Sequence, residues 1–243
     1  CENMTGWRNL MTLSSLSFTE GFYGKPRVDT ELLRKHHEGL IALSACLSGE
    51  IPRRLCAGDY SGAVEAARQM ADIFGPDHFC IEIQNHRLPE EKQILPQLVR
   101  LARELELPLV ATNDCHYLRR EDAGMQEILT CIATNRTLQD GGRIGFATDE
   151  FYYKTTAEMQ ALFSAFPEAL ENTVKIAARC SVELDFSHTY LPRFPCPDGQ
   201  SAGEYLRSLT YAGFARRVAA GEIRFTGRHP EEEYRTRLEY ELS

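Results

Sequence analysis

Asp114 and His116 are the two residues of this chain whose types and spacing best suit metal binding. They follow an apolar run at residues 109–112, which reads as a short buried strand entered through Pro108. Side chains alternate along a strand, so a carboxylate and an imidazole two positions apart project to the same side. Such a pair at the carboxyl end of a buried strand is typical of the way an α/β protein presents metal ligands. The alternative is a capped turn with Asp114 as the cap and His116 in solvent, because this short spacing is common.

Two further strands end in polar residues. The strand predicted at residues 40–44 leads into a turn that contains Cys46, and the strand predicted at residues 79–84, with alternating faces, precedes His86. Helical patterns separate the strands, which predicts βαβ units whose carboxyl ends share one edge of a parallel sheet. Cys46 is a candidate zinc ligand at this edge, with a buried structural thiol as the alternative. His86 is a candidate ligand or phosphate donor, although a solvated loop histidine is the simpler interpretation.

The rest of the pattern is mainly helical. Helices are predicted at residues 5–20, 32–37, 51–55, 61–74, 90–105, 121–134, 156–166, 168–180, 205–218 and 231–243. Thr5 and Asp59 are the predicted N-caps of the first and fourth of these helices. Residues 139–146 have the composition of a glycine-rich loop, and residues 151–153 read as a short aromatic strand. The proline-punctuated stretch at residues 190–199 predicts a connector, and therefore a domain boundary near residue 190.

Composition limits the classes of protein that fit. The chain has 243 residues, of which 26% are charged and 43% hydrophobic, as in an ordinary globular protein. Its apolar runs fall short of the roughly 20 residues that a membrane span needs, so no membrane partner is predicted. The net charge of -8 argues against nonspecific nucleic-acid binding by the segment as a whole. Eight scattered cysteines without a C-x-x-C pair indicate a reducing cytoplasm.

The two ends of the chain suggest that it was cut from something longer. It begins at Cys1 and stops at Ser243 inside a helical pattern without a stop signal. We therefore expect an internal piece of a longer polypeptide.

Two ordered motifs carry a resemblance to a known family. Residues 43–52 (LSACLSGEIP) and 110–117 (VATNDCHY) resemble the polymerase and histidinol phosphatase (PHP) domain in the alpha subunits of bacterial DNA polymerase III. Further stretches that resemble the same subunits are residues 6–10, 21–27, 166–173 and 190–195. The resemblance therefore covers nearly the whole chain.

The resemblance implies both a fold and a set of ligands. The implied fold is α/β: part of a distorted (β/α)7 PHP barrel over residues 1–189, then a linker and the start of the helical thumb module over residues 190–243. The implied metal ligands are Cys46, Asp114 and His116, with zinc or manganese as the expected metal. The family's other ligands and the catalytic aspartates of the polymerase, which use magnesium, belong to stretches that this sequence does not contain.

The function implied by the resemblance is that of a parent DNA-directed DNA polymerase acting in DNA replication in the cytoplasm. Its PHP domain would be a metal-dependent 3′–5′ exonuclease or phosphoesterase, and this segment alone is expected to be inactive. The expected partners are DNA and other holoenzyme subunits, among them the sliding clamp and the proofreading subunit. The alternatives are a free-standing phosphoesterase resembling histidinol phosphatase and a metal-free scaffold domain. Residues 190–243 discriminate against the first alternative, because a free-standing barrel needs no linker to another helical module.

Overall fold

A computed structural model of the chain describes residues 1–139, 146–189 and 191–243, which separate into two compact units, residues 1–184 and 185–243. The helices of the first unit are α1 (Met4–Thr19), α2 (Thr30–Lys35), α3 (Glu50–Cys56), α4 (Tyr60–Phe74), α5 (Pro89–Glu104), α6 (Ala123–Ala133), α7 (Thr156–Leu162) and α8 (Pro167–Arg179). Its strands are β1 (Ala42–Leu43), β2 (Phe79–Ile83) and β3 (Leu109–Ala111). The second unit contains α9 (Ala202–Ala219) and α10 (Glu231–Leu242).

The described strands form a parallel sheet in the order β1-β2-β3. Helices α3 and α4 connect the first pair of strands, and α5 connects the second pair, as expected for βαβ crossovers. The α/β class and the shared carboxyl edge are therefore confirmed. The seven-unit barrel stays a prediction, because the described strands form an open three-stranded sheet.

All five residues of β2 are buried, so the prediction of alternating faces for this strand is wrong. The reason is that β2 is the central strand and has side chains packed against both of its faces. Ile81 and Ile83 are fully buried in the same core as Leu101 of α5 and Phe163. A parallel strand covered on both sides reads as a continuous apolar run, with Glu82 as the exception here.

Local capping explains where several helices begin. The carboxylate of Asp59 accepts a hydrogen bond from the backbone N–H of Gly62 (2.8 Å), so the predicted cap of α4 is confirmed. The predicted cap of α1 is wrong, because Asn3 and not Thr5 accepts the bond from the N–H of Gly6 (3.0 Å). Helix α1 therefore begins one residue earlier than expected.

The beginning of α1 lies directly against the turn at Gly39. A Cβ placed on Gly6 would lie 1.9 Å from the carbonyl oxygen of Gly39, so this contact requires glycine. Gly39 itself has φ of +73°, the left-handed region that suits glycine. The backbone N–H of Glu2 also donates to the Gly39 carbonyl (2.9 Å), which ties the first residues to the loop before β1.

Two further predictions concern residues 139–153 and the domain boundary near residue 190. The aromatic strand expected at residues 151–153 is reduced to one parallel bridge between Tyr117 and Tyr152. Most of the predicted glycine-rich loop, residues 140–145, lies outside the described residues, as does Tyr190 at the predicted domain boundary. The described division comes between residues 184 and 185, a few positions before that boundary.

The second unit has a small aromatic core. Phe214 of α9 lies with its ring centroid 6.3 Å from those of both Phe225 and Tyr234. Arg207 of α9 also pairs with Glu239 of α10 (2.7 Å). In the part of the chain that the structure describes, no helix is both long and apolar enough to cross a membrane.

Candidate functional site at the strand ends

The turn after β3 brings Asp114 and His116 close together. Asp114 has φ of +42°, and this left-handed backbone turns the chain immediately after the strand. Nδ1 of His116 lies 2.9 Å from the backbone oxygen of Asp114 and 3.9 Å from its Oδ1. A proton on Nδ1 donated to that carbonyl leaves the lone pair on Nε2. The pair is therefore arranged as an imidazole and a carboxylate that can each offer a donor atom to a cation.

Aromatic rings fix the orientation of the His116 imidazole. The ring of Phe146 lies 4.5 Å from it, and the ring of Phe151 meets it edge-on at 5.6 Å. The backbone N–H of His116 donates to the carbonyl of Phe151 (2.8 Å). His116 and Asp114 each keep 36% of their side-chain surface exposed, so the pair is held in place and still reaches solvent.

Cys46 lies in the turn that follows β1. The turn is tight: the N–H of Gly49 donates to the carbonyl of Cys46 (2.8 Å), and Ala45 has φ of +66°. Cys46 is half-buried beside a small pocket that Glu82 and Gln84 also line. It therefore occupies the carboxyl edge of the sheet, at the β1 end.

The described residues do not assemble a complete metal site. No group of three or more His, Cys, Asp and Glu side chains in residues 1–139, 146–189 and 191–243 is arranged to hold a metal ion. Asp114 and His116 form a pair, and Cys46 is not joined to that pair in such a group. Asp114 and His116 could supply two ligands, one oxygen and one nitrogen, to a metal that binds both types of donor. A complete coordination shell would need donors beyond these residues.

His86 is buried, so the interpretation as a solvated loop histidine is wrong. Only 1% of its side chain is exposed, and its ring stacks on Phe151 at 4.1 Å. Nδ1 lies 2.6 Å from Oε1 of Glu91, and Nε2 lies 2.7 Å from the carbonyl oxygen of Asn113. Both ring nitrogens therefore face acceptors within the protein, which excludes His86 as a metal ligand in this conformation.

The surroundings of His86 favour its charged form. Burial lowers the pKa of His86, but the hydrogen bonds to Glu91 and to the Asn113 carbonyl, together with the charge of Glu91, outweigh burial and raise the pKa above its ordinary value. Glu91 also accepts a hydrogen bond from the backbone N–H of His86 (2.6 Å). The result is a buried ion pair that joins the end of β2 to α5 and to the residue before Asp114.

A second ion cluster, centred on the buried side chains of Glu150 and Lys154, contacts the same turn. The carboxylate of Glu150 contacts Arg87 (2.9 Å), Arg120 (3.0 Å) and Lys154 (3.5 Å). The ammonium of Lys154 also donates to Oδ1 of Asn113 (3.1 Å) and to the backbone oxygen of Glu150. Burial lowers the pKa of Lys154 despite the nearby Glu150 carboxylate.

Asn113 is the residue on which these two clusters meet. Its carbonyl accepts from His86, its side-chain oxygen accepts from Lys154, and its side-chain nitrogen donates to the carbonyl of Tyr152 (2.7 Å). Asn113 therefore fixes the backbone immediately before Asp114. The sequence alone does not predict this role, because the partners of Asn113 lie 27, 39 and 41 positions away in the chain.

Glu82, Gln84 and Thr112 connect the ends of β2 and β3. Gln84 Nε2 donates to Oγ1 of Thr112 (2.9 Å) and to Oε1 of Glu82 (3.1 Å), and the Thr112 hydroxyl also donates to Glu82. The backbone N–H of Glu82 donates to Oγ of Ser44 (2.8 Å) at the end of β1. Polar groups from three strand ends are thus joined along one edge, as the parallel topology predicts.

Several other polar side chains form ion pairs or hydrogen bonds within the protein. Glu50 pairs with Arg54 within α3 (2.8 Å), and Arg54 also reaches Asp59 (3.0 Å). His36 lies 3.4 Å from Oδ1 of Asn9, and Nδ1 of His37 lies 2.8 Å from the carbonyl oxygen of Arg34 at the end of α2. These contacts give each of the groups a partner within the protein.

Comparison with known proteins decides the family. The model of the PHP domain matches residues 1–86, a span that includes β1, β2 and Cys46. The chain is 45% identical to the DNA polymerase III subunit alpha of Treponema pallidum over 242 residues, which is 99% of the chain and 20% of that protein. It is 45% identical to the subunit of the same name from Thermus aquaticus over 225 residues, or 89% of the chain and 18% of that protein. Nearly the whole chain is homologous to a segment of DNA polymerase III alpha subunits.

The chain corresponds to only part of these alpha subunits. It spans about a fifth of the length of the curated relatives that it matches, including the subunit from Mycobacterium tuberculosis, which is 39% identical over 245 residues. The alignments of 242 and 245 residues include the second unit, so the resemblance seen in the sequence motifs holds across both units of this alpha subunit segment. Asp114 and His116 lie beyond the part that the PHP model matches.

Proposed function

We propose that this chain acts as part of a replicative DNA polymerase, a DNA-directed nucleotidyltransferase in the bacterial cytoplasm. The observation that carries the proposal is the 45% identity to a DNA polymerase III alpha subunit over 99% of the chain. The segment alone would not polymerise DNA, since the polymerase aspartates and their magnesium belong elsewhere in such a subunit. The proposed partners are DNA, the sliding clamp and the proofreading subunit.

The identity beyond residue 189 favours this proposal over a free-standing phosphoesterase. The second unit, residues 185–243, is a helical pair with its own aromatic core. A small-molecule phosphatase made of one barrel has no need of such a unit. We assign the second unit to the linker and the start of the thumb, and the first to part of the distorted (β/α)7 PHP barrel.

Within the PHP portion we propose a divalent-metal centre that serves a 3′–5′ exonuclease or phosphoesterase activity. This segment would supply Asp114, His116 and Cys46, and zinc or manganese suits their oxygen, nitrogen and sulfur donors. When bound, such a metal supplies an activated water for phosphoester hydrolysis. The residues of this chain orient the donors: the Asp114 carbonyl fixes the His116 tautomer, and Asn113 fixes the turn.

A metal-free scaffold is the second candidate, and one observation favours it. The described residues contain no group of three metal-type side chains, while the neighbouring His86 and Lys154 are already occupied by partners within the protein. A domain of this kind would position the polymerase and its partners through its surface. It would not hydrolyse DNA.

Metal content of the purified full-length subunit separates the two candidates. We expect at least one bound divalent metal per subunit in the wild type, and a loss of about tenfold in occupancy in Asp114→Asn. Asp72→Asn, which changes an exposed aspartate on α4, is the matched control and should keep its metal. A wild-type subunit without metal would support the scaffold. A full-length subunit that fails to extend a primer would contradict the polymerase proposal independently.

A further inference from the structure

Helix α6 carries its apolar residues on the outside. Met125, Ile128, Leu129 and Ile132 are each between 46% and 70% exposed. These positions follow the spacing i, i+3, i+4, i+7, so the four side chains form one continuous stripe along the helix. We call this set the α6 stripe.

The polar residues of the same helix face the other way. Gln126, Glu127 and Thr130 are half-buried, and Cys131 is the buried residue of α6. A surface helix of a globular protein normally shows the opposite arrangement, with its apolar face towards the core. Leu118, which precedes α6 in the chain, is also 67% exposed. An exposed apolar patch of this kind marks an interaction site.

We propose that the α6 stripe docks into an apolar groove formed by the part of the full-length alpha subunit that lies outside this segment. The chain makes up only 20% of the length of its relative from Treponema pallidum, so most of such a polypeptide is available to cover the stripe. The spacing of the four side chains is the one by which an amphipathic helix fills a groove. A helix of 11 residues would need a groove about 16 Å long.

The charges favour this occupant over two others. The net charge of -8 makes two copies of the chain repel each other, which opposes docking against a second copy. A helix that lies on a membrane surface typically carries Lys or Arg on its polar face, whereas Glu127 is the charged residue of α6. An intramolecular groove needs neither self-association nor a cationic face. This inference rests on the proposed place of the chain in a longer alpha subunit, and it does not depend on the metal centre.

Oxidation of Met125 in the full-length subunit tests the proposal. Peroxide oxidises an accessible thioether to the sulfoxide, and mass spectrometry follows the reaction at a single methionine. We expect Met125 to react at least about tenfold more slowly in the folded subunit than in the denatured one, because the groove covers it. In this segment alone Met125 is 65% exposed. Oxidation of Met125 in the folded subunit at the denatured rate would overturn the proposal.

A pair of variants assigns that protection to the stripe. Ile132→Glu places a charge in the stripe and should bring the oxidation rate of Met125 close to the denatured rate. Gln126→Glu adds the same charge to the same helix off the stripe and should leave the rate unchanged. Protection that disappears on dilution, together with dimers in sedimentation, would assign the stripe to a second copy and refute the intramolecular groove. Primer extension by the wild type reports separately on the proposed polymerase function.

Discussion

The buried pair of His86 and Glu91 makes a quantitative prediction about stability. Their side chains are 1% and 7% exposed, and Glu91 accepts two hydrogen bonds of 2.6 Å, from the backbone N–H and from Nδ1 of His86. Glu91→Ala leaves both donors buried without their acceptor, which we expect to cost about 3–5 kcal/mol in the free energy of unfolding. Glu91→Gln keeps an oxygen for the backbone N–H and removes the charge, so its cost should be about 1–2 kcal/mol.

The cost of Glu91→Gln should depend on pH in one direction. The pKa of His86 is raised above 6.5 in the folded protein, so the pair contributes its full stability below that value. The contribution is lost as the pH rises through the folded-state pKa and the imidazole becomes neutral. The difference between wild type and Glu91→Gln should therefore be larger at about pH 6 than at about pH 9.

Urea unfolding followed by the fluorescence of Trp7 measures this difference. Trp7 is the only tryptophan of the chain and lies in α1, so its signal reports the first unit. Glu90→Gln removes the same charge from the adjacent, exposed position of α5 and should change stability by no more than about 0.5 kcal/mol. Equal losses for Glu91→Gln at both pH values, or a loss that grows with pH, would refute the ion pair.

Three further substitutions test how the fold is held together. Gly6→Ala should lower the free energy of unfolding by about 2 kcal/mol or more, because its Cβ would lie 1.9 Å from the Gly39 carbonyl oxygen. Gly124→Ala in α6, where nothing lies within 4 Å, should be neutral or stabilise by up to about 1 kcal/mol, and thermal unfolding by circular dichroism compares the two. Lys154→Met should cost about 1–3 kcal/mol, since it removes a donor from Asn113 and a cation from Glu150. Wild-type melting temperatures for Gly6→Ala or Lys154→Met would contradict these assignments.

Most of the helices, and the sheet edge that carries the candidate site, could be predicted from the sequence alone. Hydrophobic periodicity and capping residues such as Asp59 act over a few positions, so they can be read directly from the chain. The residue types also placed a carboxylate and an imidazole two positions apart after the strand. Their contact depends on the turn at Asp114, where φ is +42°, and not on alternation along a strand, because β3 ends at Ala111. The ordered motifs also identified the family, which the identities to alpha subunits confirm.

The burial and the contacts of the polar groups depend on tertiary packing. Lys154 meets Asn113 across 41 positions and Thr148 meets His86 across 62, separations that no local pattern encodes. His86 can be buried because α5 places Glu91 next to it. A buried imidazole N–H needs an acceptor within the protein, whereas an exposed one can bond to water. The outward direction of the α6 stripe is also tertiary information, because a periodic pattern gives the apolar face of a helix but not the side on which the core lies.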